Sequence, residues 1–155
     1  MIKLKKVLVP TDFSESARHA LTYGISFARE YEAELTLLHV VENLTVGYAS
    51  DLFPVPMAEV FQEISGYARA ELTKLGAEVR KRDVAVAEQV VQGKPSAEII
   101  RFARETEVDM IVLGTHGKGV LDQALFGSTT ERVVRRAPCP VLTVRLSEHE
   151  FVDGD

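Results

Sequence analysis

Short apolar runs alternate along the chain with longer stretches in which apolar residues recur every three or four positions. The runs are rich in Val, Leu and Ile, and each is followed by a loop signal, which is typical of strands buried on both faces of a parallel sheet. They are KKVLVP at 5–10, LTLLHVV at 35–41, MIVLG at 110–114 and VLTV at 141–144. A fifth run, VAVAEQVV at 84–91, is more polar, and we predict that it forms an edge strand.

Helical patterns lie between these runs. Residues 14–31 carry one apolar stripe, formed by Ala17, Ala20, Leu21, Gly24, Ile25 and Ala28. A second helix is predicted over about 58–82, a third from Pro95, which suits a first helical turn, and a fourth from near Ser128 to just before Pro138. The strict alternation of strand and helix predicts one α/β domain, a doubly wound parallel sheet with right-handed crossovers. The long connection at 42–57 has the length of a flap or a contact surface.

Composition narrows the function classes. A chain of 155 residues with 46% hydrophobic and 26% charged residues is that of an ordinary globular domain, and its formal charge of −5 argues against broad nucleic-acid binding. No apolar run is long enough to cross a bilayer and no signal peptide is expected, so we predict a cytoplasmic protein without membrane partners. The single cysteine, Cys139, excludes an internal disulfide and a multi-cysteine zinc site, and we expect it to be a buried small hydrophobe.

The chemistry is concentrated in the segment GTHGKGVLDQALFGSTTERVV, residues 114–134. It connects a strand to a helix, which places it at the carboxyl edge of the sheet, where doubly wound folds bind ligands. Glycines let backbone N–H groups approach a ligand, and a helix start adds unpaired donors, so the favoured ligand is a phosphate chain. One alternative stays open: Ser128 and Glu131 fit a capping box that would satisfy the same donors internally. The segment is neither a Walker A element nor a dinucleotide-binding fingerprint.

The spacing of Gly114, Gly117 and Gly127-Ser128 resembles the glycine motif of the nucleotide-binding universal stress proteins, which is Gly, two residues, Gly, nine residues, then Gly-Ser or Gly-Thr. VLVPTDFSESARHAL at 7–21, LLHVV at 37–41 and APCPVLTVR at 137–145 are similar to that family's first, second and last strands. The resemblance covers about residues 4–145. It implies five parallel strands in the order 3-2-1-4-5, an ATP site at their carboxyl ends, one domain over 1–146 and a short acidic tail over 147–155.

The resemblance also implies which residues contact ATP. Asp12 would bind the ribose hydroxyls, Pro10 and Thr11 would line the base pocket, the backbone of Val40 would pair with the adenine edge, and Leu113 would pack against the base or sugar. The phosphates would lie between Gly114, Thr115, His116, Gly117, Lys118 and Gly119 on one side and Gly127, Ser128, Thr129 and Thr130 on the other. Mg²⁺ or Mn²⁺ would arrive with the phosphates, near Ser128 or Thr129.

Several alternatives accompany these assignments. Asp12 also has the position of a cap for the first helix, and His39 is predicted to be a hydrogen-bonded histidine at a strand end rather than a metal ligand. No residue is assigned a catalytic role, so we expect a binding module with at most slow ATP hydrolysis. The alternative function is a protein-interaction scaffold, dimeric, with an empty nucleotide site.

The last strand predicts a homodimer. In the implied strand order it is an edge, and its apolar residues and unpaired backbone groups need a cover. Pairing with a second copy about a two-fold axis would supply that cover through Val141, Leu142, Thr143 and Val144. The alternative is that the acidic tail shields this edge and leaves a monomer.

Overall fold

The computed structural model describes residues 1–42, 57–116 and 126–146. The strands are β1 (Lys6–Pro10), β2 (Glu34–Val41), β3 (Val86–Gln92), β4 (Met110–Gly114) and β5 (Val141–Val144). The helices are α1 (Glu15–Glu30), α2 (Met57–Arg80), α3 (Pro95–Glu105) and α4 (Ser128–Arg136). All strand pairs are parallel, in the order β3-β2-β1-β4-β5. The predicted fold class, strand order and edge position of β3 are therefore confirmed.

The sheet separates two apolar cores because successive strand residues point to opposite faces. Val7 and Val9 of β1 belong to a cluster with residues of α1 and α2, whereas Leu8 belongs to a cluster with residues of α3 and α4. The predicted stripe of α1 is buried along its whole length. Its Gly24 permits close contact with β1, since a Cβ there would lie 2.5 Å from a methyl carbon of Val9.

Helix α2 is fixed at its C-terminal half. Leu72, Leu75 and Val79 are buried in the first core. On β3, the Glu88 carboxylate accepts hydrogen bonds from the hydroxyl of Thr73, at 3.0 Å, and from the guanidinium of Arg80, at 2.8 Å. The N-terminal half of α2 extends from this anchored region toward the carboxyl edge of the sheet.

Cys139 packs against the second core but is half-buried, rather than fully buried as predicted. Burial raises the pKa of its thiol, and the charge of Asp109 adds to that rise. The described residues contain no helix that combines the length and the apolar content needed to cross a bilayer.

Candidate functional site

A pocket of about 570 Å³ opens where β1, β2 and β4 end. Its volume is within the range of small-molecule sites. The lining residues that the sequence predicted are Pro10, Thr11, Asp12, Val40, Leu113, Gly114, His116, Gly127, Ser128, Thr129 and Thr130. Thr115 is buried and does not line the pocket. Gly117, Lys118 and Gly119 lie outside the described residues.

Side chains of the connection from β1 to α1 accept hydrogen bonds from three nearby backbone N–H groups. Thr11 Oγ1 accepts a hydrogen bond from the N–H of Phe13, at 3.0 Å, and Asp12 Oδ1 accepts one from the N–H of Ser14, also at 3.0 Å. Ser14 is the N-cap of α1, and its Oγ accepts from the N–H of Ala17 at 3.2 Å. The alternative that Asp12 caps the helix is therefore wrong, because its carboxylate closes a turn one step earlier.

His39 fixes this connection against β2. One ring nitrogen, Nδ1, lies 2.8 Å from the carbonyl oxygen of Thr11, and the ring stacks on Phe13 with centroids 4.6 Å apart. Phe13 itself has a φ of 64°, a left-handed conformation that is uncommon for a bulky residue. The predicted hydrogen-bonded histidine is confirmed, and with Phe13 it forms an aromatic pair on the pocket wall.

The connection from β4 to α4 is held by different bonds. The N–H of Gly127 donates to the carbonyl of Thr115 at 2.7 Å, and the hydroxyl of Thr130 donates to the carbonyl of Gly114 at 2.8 Å. Thr115 in turn donates its N–H to Val144 at 3.1 Å. These bonds attach the first turn of α4 to the end of β4 and explain why Thr115 is buried away from the pocket.

Among the described residues, no side chain caps the start of α4. Its N-cap is Gly127, with φ −65° and ψ 157°, and Ser128 is the first helical residue. The alternative of a capping box formed by Ser128 and Glu131 is wrong, since Ser128 stands one position too late to act as the cap. The N–H groups of the first turn therefore belong to residues that line the pocket, and their N-cap, Gly127, offers them no side-chain acceptor.

Gly114 has a packing role that the sequence analysis did not identify. A Cβ at this position would lie 2.8 Å from the carbonyl oxygen of Ser16 in the first turn of α1. The glycine therefore lets β4 and α1 approach each other at the edge of the pocket.

Charge on the described lining is sparse. The carboxylates of Asp12 and Glu42 and the ring of His116 line the pocket, and no lysine or arginine of the described residues does so. Nδ1 of His116 lies 2.9 Å from the hydroxyl of Thr115. In the described ranges no group of three or more His, Cys, Asp or Glu could hold a metal ion. Within the described lining, backbone N–H groups and the dipole of α4 are the features that favour an anion.

Most of the apolar wall of the pocket was not predicted from the sequence. The pocket residues without a predicted role in the site are Phe13, Ala17, Leu38, His39, Val41, Glu42, Ile64, Tyr67, Ala68, Pro95 and Ile99. Several come from α2 and α3, where the apolar periodicity identified an inward face. Nothing in that periodicity distinguishes a face that meets other side chains from one that meets a cavity.

Comparison with known proteins agrees with this architecture. The sequence pattern of the universal stress protein family matches residues 3–145. The chain belongs to the universal stress protein family. The universal stress protein MJ0531 of Methanocaldococcus jannaschii is 33% identical over 147 residues, which cover 94% of this chain and 85% of that protein. Universal stress protein YxiE of Bacillus subtilis is 33% identical over 148 residues, which cover 90% of this chain and 98% of YxiE.

Solved universal stress proteins have the same fold. The structure of UspA from Lactobacillus plantarum matches with a TM-score of 0.82 and 28% identity, covering 94% of this chain and all of that one. The strand order and the helices on both faces described above are thus those of this family.

Proposed function

We propose that this universal stress protein binds ATP in the pocket at the carboxyl edge of its sheet and acts as a nucleotide-binding stress-response or signalling module. The observation that carries the proposal is the start of α4, where Gly127 provides no side-chain cap and the first-turn residues line the pocket. Uncapped helix N-termini bind phosphate groups because their N–H groups and the helix dipole both favour an anion.

The other contacts follow from the residues around that helix start. The carboxylate of Asp12, an acceptor-only group, would bind the ribose hydroxyls. The backbone of Val40 would pair with the adenine edge, with Pro10, Thr11 and Leu113 beside the base. Gly114, His116, Ser128, Thr129 and Thr130 would surround the phosphates, together with Gly117, Lys118 and Gly119 of the glycine segment.

Two distant relatives support an adenine nucleotide as the ligand. A universal stress protein has been solved in complex with cAMP, at 22% identity and a TM-score of 0.68. The universal stress protein of Archaeoglobus fulgidus has been solved in complex with dAMP, at 21% identity and a TM-score of 0.62. At such low identity the similarity shows a shared fold only, and the adenine nucleotide is our proposal for this chain.

We assign no catalytic residue and propose binding with at most slow hydrolysis, in the cytoplasm. Mg²⁺ or Mn²⁺ would be held mainly by the phosphates, near the hydroxyls of Ser128 and Thr129. The competing function is a scaffold dimer with an empty site. Purification without added nucleotide, denaturation and mass analysis of any released ligand distinguishes the two, since a nucleotide in the released material contradicts the empty site.

Thermal unfolding tests the proposal directly. A ligand that binds only the native state at a hundredfold excess over its Kd stabilises it by about 2.7 kcal/mol. For a chain of this size, ATP should then raise the melting temperature by about 5–10 °C. GTP should raise it less, because the guanine edge presents the reverse pattern of donors and acceptors to the Val40 backbone. Equal shifts would remove Val40 from the proposal, and no shift with ATP would contradict it.

We also propose that β5 joins two copies of the chain. β5 is the edge strand next to β4, and its Val141, Leu142 and Thr143 are half-buried. A second copy would cover these residues and pair the free backbone groups. Thr143→Pro removes one backbone donor from this edge and should shift the protein from dimer to monomer in sedimentation. A wild type that sediments as a monomer of 17.1 kDa contradicts the dimer.

A further inference from the structure

The pocket has two chemically different ends. The end formed by β4 and α4 is lined by glycines, hydroxyls and the uncapped helix start. The other end is apolar and aromatic, with the stacked pair of Phe13 and His39 on one side and residues of α2 and α3 around it. A ligand with phosphates at the first end would place its base at the second.

Three residues of α2 belong to this aromatic end. Ile64, Tyr67 and Ala68 stand at i, i+3 and i+4, so they share one face of the helix. Ala68 is only 1% exposed, whereas Tyr67 is 67% exposed. Ala68 therefore belongs to the buried part of this lining, and Tyr67 to the part that reaches the surface, at the mouth of the pocket.

The position of Tyr67 is fixed by the backbone of α2. Just beyond it, Leu72 is fully buried, and Thr73 and Arg80 bind Glu88 of β3. The helix therefore holds the Cα of Tyr67 at the rim, while the exposed ring retains rotamer freedom. Such a ring loses apolar exposure when a planar group enters the pocket and covers one of its faces.

We propose that Tyr67 is a further binding residue of this pocket, one that stacks on the base of the bound nucleotide from the side of α2. This inference rests on the proposed ATP binding. The chemistry is that of an aromatic face on a planar purine, which needs the ring and not the hydroxyl group. Tyr67 thus adds affinity for the base and leaves the contacts to the phosphates unchanged.

Affinity measurements on two variants test the stacking. Tyr67→Leu keeps an apolar side chain but removes the aromatic face, and it should weaken ATP binding about tenfold. Tyr67→Phe is the matched control and should bind ATP as the wild type does. AMP has the same base, so Tyr67→Leu should lower its affinity by the same factor. Melting curves check that both variants fold like the wild type.

Iodination of exposed tyrosines, followed by peptide mass spectrometry, gives an independent readout on the wild-type protein. Tyr67 should react readily in the free protein and become protected by ATP. Tyr31, which is 36% exposed at the end of α1, should react equally with and without ATP, and Tyr23, which is 3% exposed, should stay unmodified. Their behaviour controls for a general effect of nucleotide on the reagent.

The outcomes separate the two proposals. Unchanged ATP affinity in Tyr67→Leu, or a larger loss for ATP than for AMP, overturns the stacking and leaves ATP binding standing. A Tyr67 that ATP does not protect also overturns it. A wild type that binds no ATP overturns the proposed function, and the role of Tyr67 falls with it.

Discussion

Two strand-to-helix connections meet at the pocket, and they differ in what happens to their backbone donors. Between β1 and α1, the side chains of Thr11, Asp12 and Ser14 each accept a hydrogen bond from a nearby backbone N–H. Between β4 and α4, the N-cap is Gly127, which has no side chain to accept one. In the first connection three backbone donors thus have side-chain acceptors, whereas in the second the N-cap contributes no acceptor to the first turn of α4.

The backbone of Gly127 sharpens this difference. Its φ of −65° and ψ of 157° are open to any L-residue, so these torsions do not require glycine. Serine or aspartate would cap the helix at the same torsions, as Ser14 does for α1. The start of α3 is a third case. The side chain of its N-cap, Lys94, makes no capping hydrogen bond either, but Pro95 has no backbone N–H, so this helix start has one donor fewer. Of the three, α4 has the start best suited to an anion.

The largest expected effect comes from giving α4 the cap that it lacks. In Gly127→Asp the new carboxylate should accept from the first-turn N–H groups and repel phosphate. ATP affinity should fall about 10- to 100-fold, the loss of one or two hydrogen bonds to a charged group. Stability should stay level or rise by a few tenths of a kcal/mol. Calorimetry measures the affinity and thermal melting the stability.

Two further substitutions at this position separate charge from bulk. Gly127→Ala adds no acceptor and should reduce ATP affinity far less than Gly127→Asp. Gly127→Val places a branched side chain where backbone must approach phosphate, so binding should fall sharply while the fold survives. ATP affinity that is unchanged in both Gly127→Asp and Gly127→Val would mean that the phosphates do not lie at this helix start.

The second largest effect concerns the glycine at the other end of the segment. In Gly114→Ala the new Cβ would lie 2.8 Å from the Ser16 carbonyl oxygen, so β4 and α1 must move apart. We expect a loss of about 1–3 kcal/mol in the free energy of unfolding, measured by urea denaturation. Gly114 would thus have a packing role in addition to its proposed place beside the phosphates, whereas Gly127 would act through the ligand.

Gly66→Ala is the matched control for Gly114→Ala. Gly66 is exposed on α2, and a Cβ there would meet no atom within 4 Å. Replacing a helical glycine by alanine in open space should raise stability by up to about 1 kcal/mol. If Gly114→Ala were as stable as the wild type, the close contact with Ser16 would not be what requires glycine at position 114.

The fold could be predicted from the sequence because each buried strand is a compact run of Val, Leu and Ile and each helix has a clear apolar face. Even the edge position of β3 followed from its polar content, which includes Glu88, an ion-pair partner of Arg80. Strand and helix bounds agree to within two residues. In a doubly wound fold such patterns suffice, since short-range alternation and crossover handedness leave few arrangements.

The site could be predicted only in part. The ends of β1, β2 and β4 were identifiable because a parallel sheet brings them to one edge, and the glycine spacing indicated α4. The N-cap of α4, Gly127, could not be identified from the sequence, because Ser128 and Glu131 fit a capping box by sequence alone. The position of the N-cap is set by the hydrogen bonds from Gly127 to Thr115 and from Thr130 to Gly114. Those bonds depend on the end of β4 lying next to the first turn of α4, which no local pattern encodes.

The smallest effect is expected from removing the helix cap in the connection between β1 and α1. Ser14→Ala removes the acceptor for the N–H of Ala17 and should cost about 1 kcal/mol of stability. In a chain of this length the melting temperature should fall by about 2–4 °C. ATP affinity at a temperature where both proteins are folded should be unchanged, because Ser14 caps α1 and does not line the pocket. Ser14→Asp is the control, since its carboxylate restores the cap and the stability. If Ser14→Ala instead changed ATP affinity as strongly as Gly127→Asp, both helix starts would contact the ligand and the contrast between them would not hold.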